Sequence, residues 1–503
     1  MYLQKKKQNG GFMHKPTMLI VLDGFGSRVA QHGNAVQLAH MPFWRSLCSN
    51  YPATTLQASG LAVGLLPGMA GNSEVGHMTL GAGRIIPSDV MRFDQLIASG
   101  LLEHATGLRH MLERAGRVHL LGLVSDGGVH SHERHLHALL KIFAGWGLKQ
   151  IFVHAILDGR DVAPASAAMY LERLERVCAD LGIGRIVSLQ GRFYAMDRDH
   201  NTQRTDATYQ MLVGTAGAQN STWHSALEHA YQAGKTDEFI EPVLLDAVGA
   251  LTPGDAVLFF NVRPDRARQL TERLLAQHIV ITPVGYDDQF NNVVLLERQD
   301  VQDTLLDVLA QHNKRVFVIA ETEKYAHVTY FFQGMHEPAY LGQERVLVPS
   351  LKAINYIQHP EMSAAEITRV LVRSLRADPA DFYLVNYANA DMVGHAGDLV
   401  ATIKACEALD QQLTLLCHEV VERAKGTLFI TSDHGKAEYM RDEYDKPVTA
   451  HTANPVPMVA VRSSWRGHSC VPGDFGLRHV APTVLTTMGV PVPAVMEQQY
   501  IIW

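Results

Sequence analysis

The sequence is organised around residues 71–77, Gly71-Asn72-Ser73-Glu74-Val75-Gly76-His77. Two glycines bracket Ser73 in a turn that is expected to open a short helix, where its hydroxyl would face backbone N–H groups and the positive end of the helix dipole. This position suits a phosphate, and we interpret Ser73 as a nucleophile. A helix cap with its turn explains the same residues. The nucleophile requires an activating base, field or metal ion, which the rest of the chain must supply.

The length and composition are typical of a two-domain globular enzyme. The 503 residues exceed the length at which a single hydrophobic core stops growing, and 47% hydrophobic and 19% charged residues are ordinary values. A net charge of -7 argues against a general nucleic-acid surface. No apolar run approaches the roughly 18 to 20 residues that a membrane span needs, so we expect neither a nucleic-acid nor a membrane partner.

The cysteines and the first residues bear on location. Five cysteines are scattered, without any Cys-x-x-Cys spacing, which indicates neither a disulfide framework nor a thiolate zinc site. This usage favours a reducing cytoplasm. Residues 1–12 are basic and polar, and no apolar run of a secretory signal follows them. We expect a disordered tail or an extension upstream of a start at Met13.

Short apolar runs rich in Val, Ile and Phe recur along the chain, each followed by Asp, Gly, Arg or His, with helical patterns between them. The clearest runs begin at Met18, Val118, Ile151, Ile186, Ala256, Val316, Phe382 and Thr427. This alternation predicts an α/β fold with largely parallel strands. Because ligands gather beyond the carboxyl ends of such strands, the polar residues after the runs should converge.

Two helices have distinct sequence signals. Ser363 and Glu366 form the pattern of a capping box ahead of an apolar helix. A second helix is predicted from about Leu399 to Lys425, ending at Gly426.

The polar residues after the runs change in character along the chain. Carboxylates, imidazoles and Ser73 lie near the two termini, whereas arginines lie between about residues 125 and 270. We therefore predict two α/β domains: a discontinuous metal-binding domain of residues 1–88 and 300–503 that carries the nucleophile, and an inserted substrate-binding domain of residues 89–299.

A set of carboxylates and imidazoles indicates a metal site. Asp391 and His395 are four residues apart and share a face if the segment is helical. The full set is Asp23, Asp391, His395, Asp433, His434 and His451. These ligands suit Mn²⁺, Mg²⁺ or Zn²⁺, and their number suits two ions, which can clamp the attacking and leaving oxygens of a phosphoryl group. Singly, each could be a turn residue. His32, His77, His327 and the histidines after His130 stay unassigned or structural.

The middle of the chain predicts a pocket for a small, strongly anionic ligand, since guanidinium groups match phosphate and carboxylate oxygens bidentately. Its candidate residues are His130, Arg160, Asp161, Arg192, Arg198, Arg263, Arg266 and Lys324. Alternatively, these arginines pair on the surface with acids such as Asp197, Asp199 and Asp265. A single-stranded nucleic-acid groove is not indicated, because no aromatic residues interleave the cations.

Eight motifs, in order, resemble those of the cofactor-independent phosphoglycerate mutases of the alkaline phosphatase superfamily. They are GNSEVGH, SDGGVHSH, LDGRDVAP, NVRPDRARQ, AETEKYAHVTYFF, NADMVGHAG, TSDHG and HTANPVPM, and the agreement runs from about Leu19 to the C-terminus. The resemblance implies an alkaline-phosphatase-like metal domain. It also implies a glycolytic and gluconeogenic isomerase that interconverts 3-phosphoglycerate and 2-phosphoglycerate through a phosphoserine, without bisphosphoglycerate.

The resemblance also implies roles for individual residues. Ser73 would be the nucleophile, and Asp161 is our candidate for shuttling the hydroxyl proton. One Mn²⁺ would be held by Asp23, Ser73, Asp433 and His434, and the other by Asp391, His395 and His451, with Mg²⁺, Co²⁺ or Zn²⁺ as possible replacements. The eight residues of the anionic pocket would bind substrate. The chain would act as a monomer on a small-molecule substrate.

Two positions depart from the family pattern, and two further functions compete with it. Lys436 stands where the family usually has Asn, and Ala453 stands in HTANP where the pattern is HTTNP. Neither removes a ligand, although Lys436 would add positive charge beside the metals. The nearest alternative is a metal-dependent phosphomonoesterase or another sugar-phosphate mutase of the superfamily. An alternative of a different class is a non-catalytic protein that binds anions or metals.

Overall fold

The protein is described from a computed structural model, in residues 15–216, 221–351 and 355–502. The predicted tail of residues 1–12 and Met13 lie outside these residues. The described chain divides into two compact units. Unit 1 extends to Ile86 and resumes at Asp300, and unit 2 is Pro87–Gln299. Each unit contains a seven-stranded sheet, which confirms the predicted fold class of two α/β domains, one of them inserted into the other.

The strands of the two sheets are numbered in chain order. They are β1 Thr17–Leu22, β2 Ala53–Leu56, β3 Arg117–Leu123, β4 Gln150–Leu157, β5 Arg185–Gly191, β6 Val243–Leu244, β7 Ala256–Phe259, β8 Ile279–Thr282, β9 Val293–Val294, β10 Val316–Glu321, β11 Gln343–Val348, β12 Phe382–Tyr387, β13 Thr427–Thr431 and β14 Val456–Val461. All eight predicted apolar runs form strands.

The α-helices are numbered in the same way. They are α1 Ala35–Leu38, α2 Pro42–Asn50, α3 Ser73–Ala82, α4 Asp89–Ala98, α5 Thr106–Ala115, α6 Glu133–Gly145, α7 Ala167–Leu181, α8 Arg192–Ala195, α9 Thr202–Leu212, α10 Trp223–Gln232, α11 Arg268–Leu275, α12 Leu305–Gln311, α13 Ala364–Ala377, α14 Asn389–Gly394, α15 Leu399–Cys417 and α16 Val480–Thr487. None of the helices in the described residues is long and apolar enough to cross a bilayer.

The sheet of unit 1 has the strand order β11-β10-β12-β1-β13-β14-β2. Its first five strands are parallel, and β14 and β2 pair antiparallel at the other edge. Strand β1 is buried along its whole length: Met18 and Ile20 enter one hydrophobic cluster, whereas Leu19 and Val21 enter another. Since neighbouring side chains of a strand point to opposite faces, the sheet is covered on both sides, as an unbroken apolar run predicts.

The sheet of unit 2 has the order β6-β5-β4-β3-β7-β8-β9, in which only the β5–β6 pair is antiparallel. One of its hydrophobic clusters unites Leu121 and Ile156 of the central strands with Leu270 and Leu274 of helix α11. The carboxyl ends of β3, β4, β5 and β7 therefore lie side by side at one edge of this sheet.

Two predicted helix ends differ from the structure. The predicted capping box is wrong: Ser363 precedes α13, but its hydroxyl donates to the carbonyl of Pro349 at 3.0 Å and caps no helical N–H group. The predicted end at Gly426 is also imprecise. After Cys417 the helix continues as a π-helix, His418–Arg423, and Lys425 takes the left-handed conformation with φ 55°. Gly426 instead allows a close approach, because a Cβ there would lie 2.2 Å from the carbonyl oxygen of Pro16.

A row of buried polar side chains crosses the sheet of unit 2. Asp255 contacts Nε2 of His119 at 3.1 Å, Nδ1 of His119 lies 2.9 Å from Nε2 of His154, and Nδ1 of His154 lies 2.8 Å from the hydroxyl of Ser188. Burial lowers the pKa of His119 and takes that of His154 well below its usual range, with further lowering by Arg117. Both imidazoles are therefore neutral in the folded protein.

We predict that unit 2 loses stability as the pH falls below 6.5, the ordinary pKa of histidine. The unfolded chain takes up a proton that the buried imidazole of His154 does not, which costs about 1.4 kcal/mol per pH unit, and His119 adds to this loss in the same direction. In calorimetric scans at about pH 7.5 and about pH 5.5, His154→Gln should lose less stability on acidification than the control His110→Gln, which changes an exposed side chain. An equal loss in both variants would contradict this assignment.

Candidate active site

Helix α3 presents Ser73 at its first turn. The N-cap is Asn72, whose side-chain oxygen accepts from the N–H of Val75 at 3.1 Å, so Ser73 is the first helical residue and not the cap. Gly76 allows close packing, because a Cβ at that position would lie 2.5 Å from the carbonyl oxygen of Asp433. Asn72 therefore caps the helix, and the hydroxyl of the next residue, Ser73, is available for other contacts.

The Ser73 hydroxyl is buried among charged groups. Its Oγ lies 3.2 Å from Oδ1 of Asp23 and 3.0 Å from Nε2 of His434, and it accepts from Nζ of Lys324 at 2.8 Å. Asp23 follows β1, His434 follows β13 and Lys324 follows β10. Strands β10, β12, β1 and β13 are neighbours in the parallel part of the sheet. The convergence at their carboxyl ends is the one predicted from the sequence.

Three more predicted ligands, Asp391, His395 and His451, lie close to one another. Oδ1 of Asp391 lies 3.2 Å from Nε2 of His395 and 3.3 Å from Nε2 of His451, and the two Nε2 atoms are 2.9 Å apart. Nδ1 of His395 donates to the carbonyl of Thr449, and Nδ1 of His451 donates to that of Gly71, both at 2.9 Å. In neutral rings these bonds leave both Nε2 atoms with bare lone pairs, which is the form that binds metals.

The donor set fits divalent cations. Two facing lone pairs at 2.9 Å repel one another unless a cation lies beside them. Oδ1 of Asp391 and Oδ2 of Asp433 are buried and have no partner with hydrogen-bond geometry among the described residues. Two groups have ligand atoms within 4.8 Å of one another: Asp391, His434 and His451, and Asp23, His77 and Asp433. These are the carboxylate and imidazole ligands that hard and borderline ions take.

His434 lies between the two groups. Its Nε2 is 3.5 Å from Oδ1 of Asp23, 3.6 Å from Oδ2 of Asp433 and 3.9 Å from Oδ1 of Asp391. Although burial opposes its protonation, the carboxylates, led by Asp433, raise the pKa of His434 to about 9. Because His434 is close to carboxylates of both groups, its position does not assign it to one ion. The division of the seven ligands between two ions stays a prediction from the resemblance.

The sequence reasoning assigned no role to two residues that lie in this cluster, His77 and Asn386. Nδ1 of His77 lies 2.9 Å from the carbonyl of Ser73 and 3.3 Å from Oδ2 of Asp433. Nε2 of His77 lies 3.0 Å from the amide nitrogen of Asn386, which also donates to Oδ2 of Asp23 at 2.8 Å. The available signal for His77 was its spacing of four residues from Ser73, which puts both on one face of α3.

Lys324 belongs to this cluster in unit 1, whereas the sequence grouped it with the arginines. Its ammonium donates to Asp23 and to Asp391, both at 2.7 Å, as well as to Ser73. Burial alone would favour the neutral amine, but these carboxylates hold the pKa of Lys324 above its ordinary value. A fixed positive charge therefore touches the oxygen of the candidate nucleophile.

Lys436 is fully buried near Asp391. Its ammonium donates to the carbonyl of Val448 at 3.0 Å, and burial lowers its pKa to about 8 against the pull of Asp391 and Glu438. Its effect on bound metals stays a prediction.

The remaining predicted residues lie together in unit 2, after β3, β4, β5 and β7. Arg192 is buried, and its Nη1 donates to Oδ1 of Asp158 at 2.7 Å and to Oδ2 of Asp161 at 2.6 Å. Asp158 also accepts from the hydroxyl of Ser125 at 2.7 Å and from the N–H groups of Arg160 and Asp161. The sequence reasoning missed Asp158, although it directly follows strand β4 in the same LDGRD motif.

Asp161 and His130 have altered proton affinities. Burial raises the pKa of Asp161 against the opposing effect of Arg192. Burial and the same guanidinium lower the pKa of His130 to about 3, so this imidazole is neutral. Its Nε2 lies 4.0 Å from Oδ2 of Asp161. The pair therefore places a carboxyl group of raised pKa 4.0 Å from a neutral ring.

The other predicted arginines have acidic or carbonyl partners yet stay partly accessible. Arg198 and Arg263 share Asp265 at 3.1 and 3.0 Å, with side chains 49% and 42% exposed. Arg160 contacts Glu238 at 3.2 Å, and Arg266 donates to the carbonyl of Met196 at 3.2 Å. Weak, solvent-exposed ion pairs leave these guanidinium groups free to exchange partners with an anionic ligand.

The fold and the carboxylate–imidazole cluster define a metal-dependent enzyme, and the profile of the Metalloenzyme superfamily matches residues 15–492. A 2,3-bisphosphoglycerate-independent phosphoglycerate mutase of Moorella thermoacetica is 43% identical over 513 residues, which cover 97% of this chain and 99% of that protein. One from Synechococcus sp. (strain JA-3-3Ab) is 44% identical over 506 residues, with 96% and 95% covered. The chain therefore belongs to the 2,3-bisphosphoglycerate-independent phosphoglycerate mutases, as the motifs predicted.

The solved structure of Leishmania mexicana phosphoglycerate mutase at low cobalt concentration is also similar. Its TM-score is 0.72 at 29% sequence identity, with 97% of this chain and 98% of that chain covered.

We predict that divalent metal stabilises unit 1. Free metal at about 100 times its dissociation constant adds about 2.7 kcal/mol per site to the free energy of unfolding. Mn²⁺ added to chelator-treated protein should therefore raise the calorimetric melting temperature, and Asp391→Asn should reduce that rise. The control Asp410→Asn changes a buried carboxylate that accepts from the N–H of Trp44, so its rise should be retained. A melting temperature that is indifferent to metal would contradict the site.

Proposed function

We propose that the protein moves the phosphoryl group of phosphoglycerate between the 3-hydroxyl and the 2-hydroxyl by way of a phosphoserine at Ser73. The observation that carries this proposal is the burial of the Ser73 hydroxyl against Lys324, Asp23 and His434, at 2.8 to 3.2 Å. A serine in a dry, charged site that fits two cations has the activator that its hydroxyl needs. The family to which the chain belongs supports the substrate.

We propose Mn²⁺ as the resident metal, with Mg²⁺, Co²⁺ or Zn²⁺ as replacements. One ion would be held by Asp23, Ser73, Asp433 and His434, and the other by Asp391, His395 and His451. The cobalt named for the Leishmania relative supports a divalent ion in this family. When bound, such a pair lowers the pKa of a coordinated hydroxyl and neutralises charge on phosphoryl oxygens.

In the first half-reaction the Ser73 oxygen attacks phosphorus. The bond between Oγ and phosphorus forms as the bond between phosphorus and the glycerate oxygen breaks. Asp23 lies 3.2 Å from Oγ as an acceptor for the hydroxyl proton. Lys324, at 2.8 Å, offsets the negative charge of the transferring group, a task that we also assign to Arg263 and Arg266. The departing glycerate oxygen takes up a proton, and we assign its delivery to Asp161.

The second half-reaction requires that glycerate stay bound and reorient. Its other hydroxyl gives a proton to Asp161 and attacks the phosphoserine, so that the bond to Ser73 breaks and the isomeric phosphoglycerate forms. The proton held by Asp23 then returns to the Ser73 oxygen. The raised pKa of Asp161 supports both proton transfers. We assign the grip on the glycerate carboxylate to Arg160, Arg192 and Arg198, with His130 beside them, because planar guanidinium groups bind carboxylates bidentately.

The proposed mechanism assigns a different role to each of the two domains. Residues 1–88 and 300–503 would form the metal-binding domain that carries the phosphoryl group, and residues 89–299 would form the substrate-binding domain. We propose that the enzyme is a cytoplasmic monomer. The five cysteines, none of them in a disulfide, support the reducing cytoplasm.

The first prediction from this mechanism concerns the nucleophile. Ser73→Ala should reduce turnover by at least about 10³-fold, because the phosphoryl acceptor is lost. The fold and metal binding should stay largely intact, because the other six ligands remain. The assay supplies 3-phosphoglycerate and Mn²⁺ without bisphosphoglycerate, and measures 2-phosphoglycerate and free phosphate separately. The control is Ser49→Ala, on the exposed face of α2. Free phosphate as the main product of the unaltered enzyme would indicate a phosphomonoesterase.

The second prediction concerns retention of glycerate. Arg192→Lys keeps the charge but loses the planar guanidinium, whose Nη1 contacts both Asp158 and Asp161 and whose fork can bind a carboxylate bidentately. We expect slower isomerisation and a higher ratio of free phosphate to 2-phosphoglycerate, because glycerate escapes before Ser73 returns the phosphoryl group. The control is Arg185→Lys, an exposed arginine of the same unit. An unchanged product ratio in Arg192→Lys would count against a role of Arg192 in holding the intermediate.

A further inference from the structure

Glu438 is a fully buried carboxylate two residues beyond Lys436, with no assigned role in the proposed reaction. Its Oε2 accepts from the N–H of Gly26 at 3.1 Å and from the N–H of Lys436 at 2.7 Å. Its Oε1 accepts from the hydroxyl of Thr452 and from the amide of Asn454 at 3.0 Å. One carboxylate thus receives four hydrogen bonds from three separate loops.

Each of these loops carries a candidate metal ligand. Gly26 lies three residues after Asp23, Lys436 lies two residues after His434, and Thr452 directly follows His451. The three loops come from distant parts of the chain. Backbone bonds also join them: the N–H of Thr452 donates to the carbonyl of Gly435 at 3.0 Å, that of Ala437 to Gly24 at 2.9 Å, and that of Ser27 to Pro455 at 2.8 Å. Glu438 is the side chain that contacts all three loops at once.

Two glycines let the backbone approach this carboxylate more closely than any other residue would allow. A Cβ on Gly26 would lie 2.1 Å from Oε2 of Glu438. A Cβ on Gly435 would lie 2.2 Å from the hydroxyl of Thr452 and 2.5 Å from Oε1 of Glu438. The glycine next to the Asp-His pair is therefore explained by the approach of Glu438 and its partner.

One carboxylate satisfies all four donors, because both oxygens of Glu438 accept. A glutamine of the same shape has one acceptor oxygen, and its amino group is paired only if the Thr452 hydroxyl and the Asn454 amide reorganise to accept from it. Buried donors without an acceptor are costly, so the loops would shift to find other partners. Any such shift moves Asp23, His434 or His451.

We propose that Glu438 is a positioning residue that holds the loops of three metal ligands in the arrangement required for binding divalent cations. The inference rests on the two-metal site of the proposed function and assigns to Glu438 a role in metal affinity. Residues that fix the orientation of metal ligands typically change the affinity for the metal by about 10- to 100-fold when they are replaced.

The test measures the affinity of metal-free protein for Mn²⁺ alone, by competition with a chelator, and records the visible spectrum of the Co²⁺-loaded protein. Glu438→Gln should weaken Mn²⁺ binding by about 10- to 100-fold and alter the Co²⁺ spectrum. The matched control is Glu419→Gln, which changes a buried carboxylate of the same unit that binds Arg376 and Arg423. Its Mn²⁺ affinity should equal that of the unaltered protein.

A milder variant covers the case in which Glu438→Gln does not fold. Thr452→Val keeps the shape of the side chain and removes one of the four donors, so it should weaken Mn²⁺ binding by less than Glu438→Gln. Unaltered Mn²⁺ affinity and an unaltered Co²⁺ spectrum in the folded variants would overturn the role of Glu438 and leave the proposed function intact. Failure of the unaltered protein to bind either ion would instead refute the metal site itself.

Discussion

The structure depends on holding three buried carboxylates, Asp23, Asp391 and Asp433, next to one another. The negative charges of neighbouring carboxylates repel one another, and burial removes the water that would screen them. Lys324 bridges Asp23 and Asp391 at 2.7 Å each and supplies one compensating positive charge. Even with a protonated His434 beside them, two positive charges do not balance three carboxylates. The facing imidazoles of His395 and His451 likewise favour a bound cation. This accumulation of negative charge supports the proposal that divalent metal binds at this end of the sheet.

The parallel sheet is what allows these groups to meet. Strands β10, β12, β1 and β13 are adjacent, so the residues after them converge although they lie hundreds of positions apart in the sequence. Helix α3 brings Ser73 to the same edge and directs its positive end toward the place where a phosphoryl group would bind. The sheet of unit 2 repeats the arrangement with arginines. In both units, the residues that follow adjacent parallel strands form the candidate site, for metal ions in unit 1 and for anions in unit 2.

Much of this arrangement could be predicted from the sequence, because apolar runs and their polar ends are local patterns. Asp23 and Asp433 each follow such a run, and the structure brings them together, while their roles as ligands stay predictions. Contacts that depend on tertiary packing could not be read in this way. Lys324 was grouped with arginines that lie in unit 2, and His77 resembled an ordinary buried histidine. The Ser363 hydroxyl donates to the carbonyl of Pro349, fourteen positions away, and not to its own helix. A capping pattern in the sequence does not reveal such a partner.

The claim on which the account depends is that Ser73 carries the phosphoryl group during turnover. The most direct measurement is mass spectrometry of peptides from enzyme that has been mixed with 3-phosphoglycerate and Mn²⁺ and quenched in acid within one turnover. The account predicts a phosphorylated peptide that contains Ser73, formed and consumed at rates no slower than isomerisation. Isomerisation at the full rate with no phosphate on that peptide, or with phosphate on another residue, would contradict it.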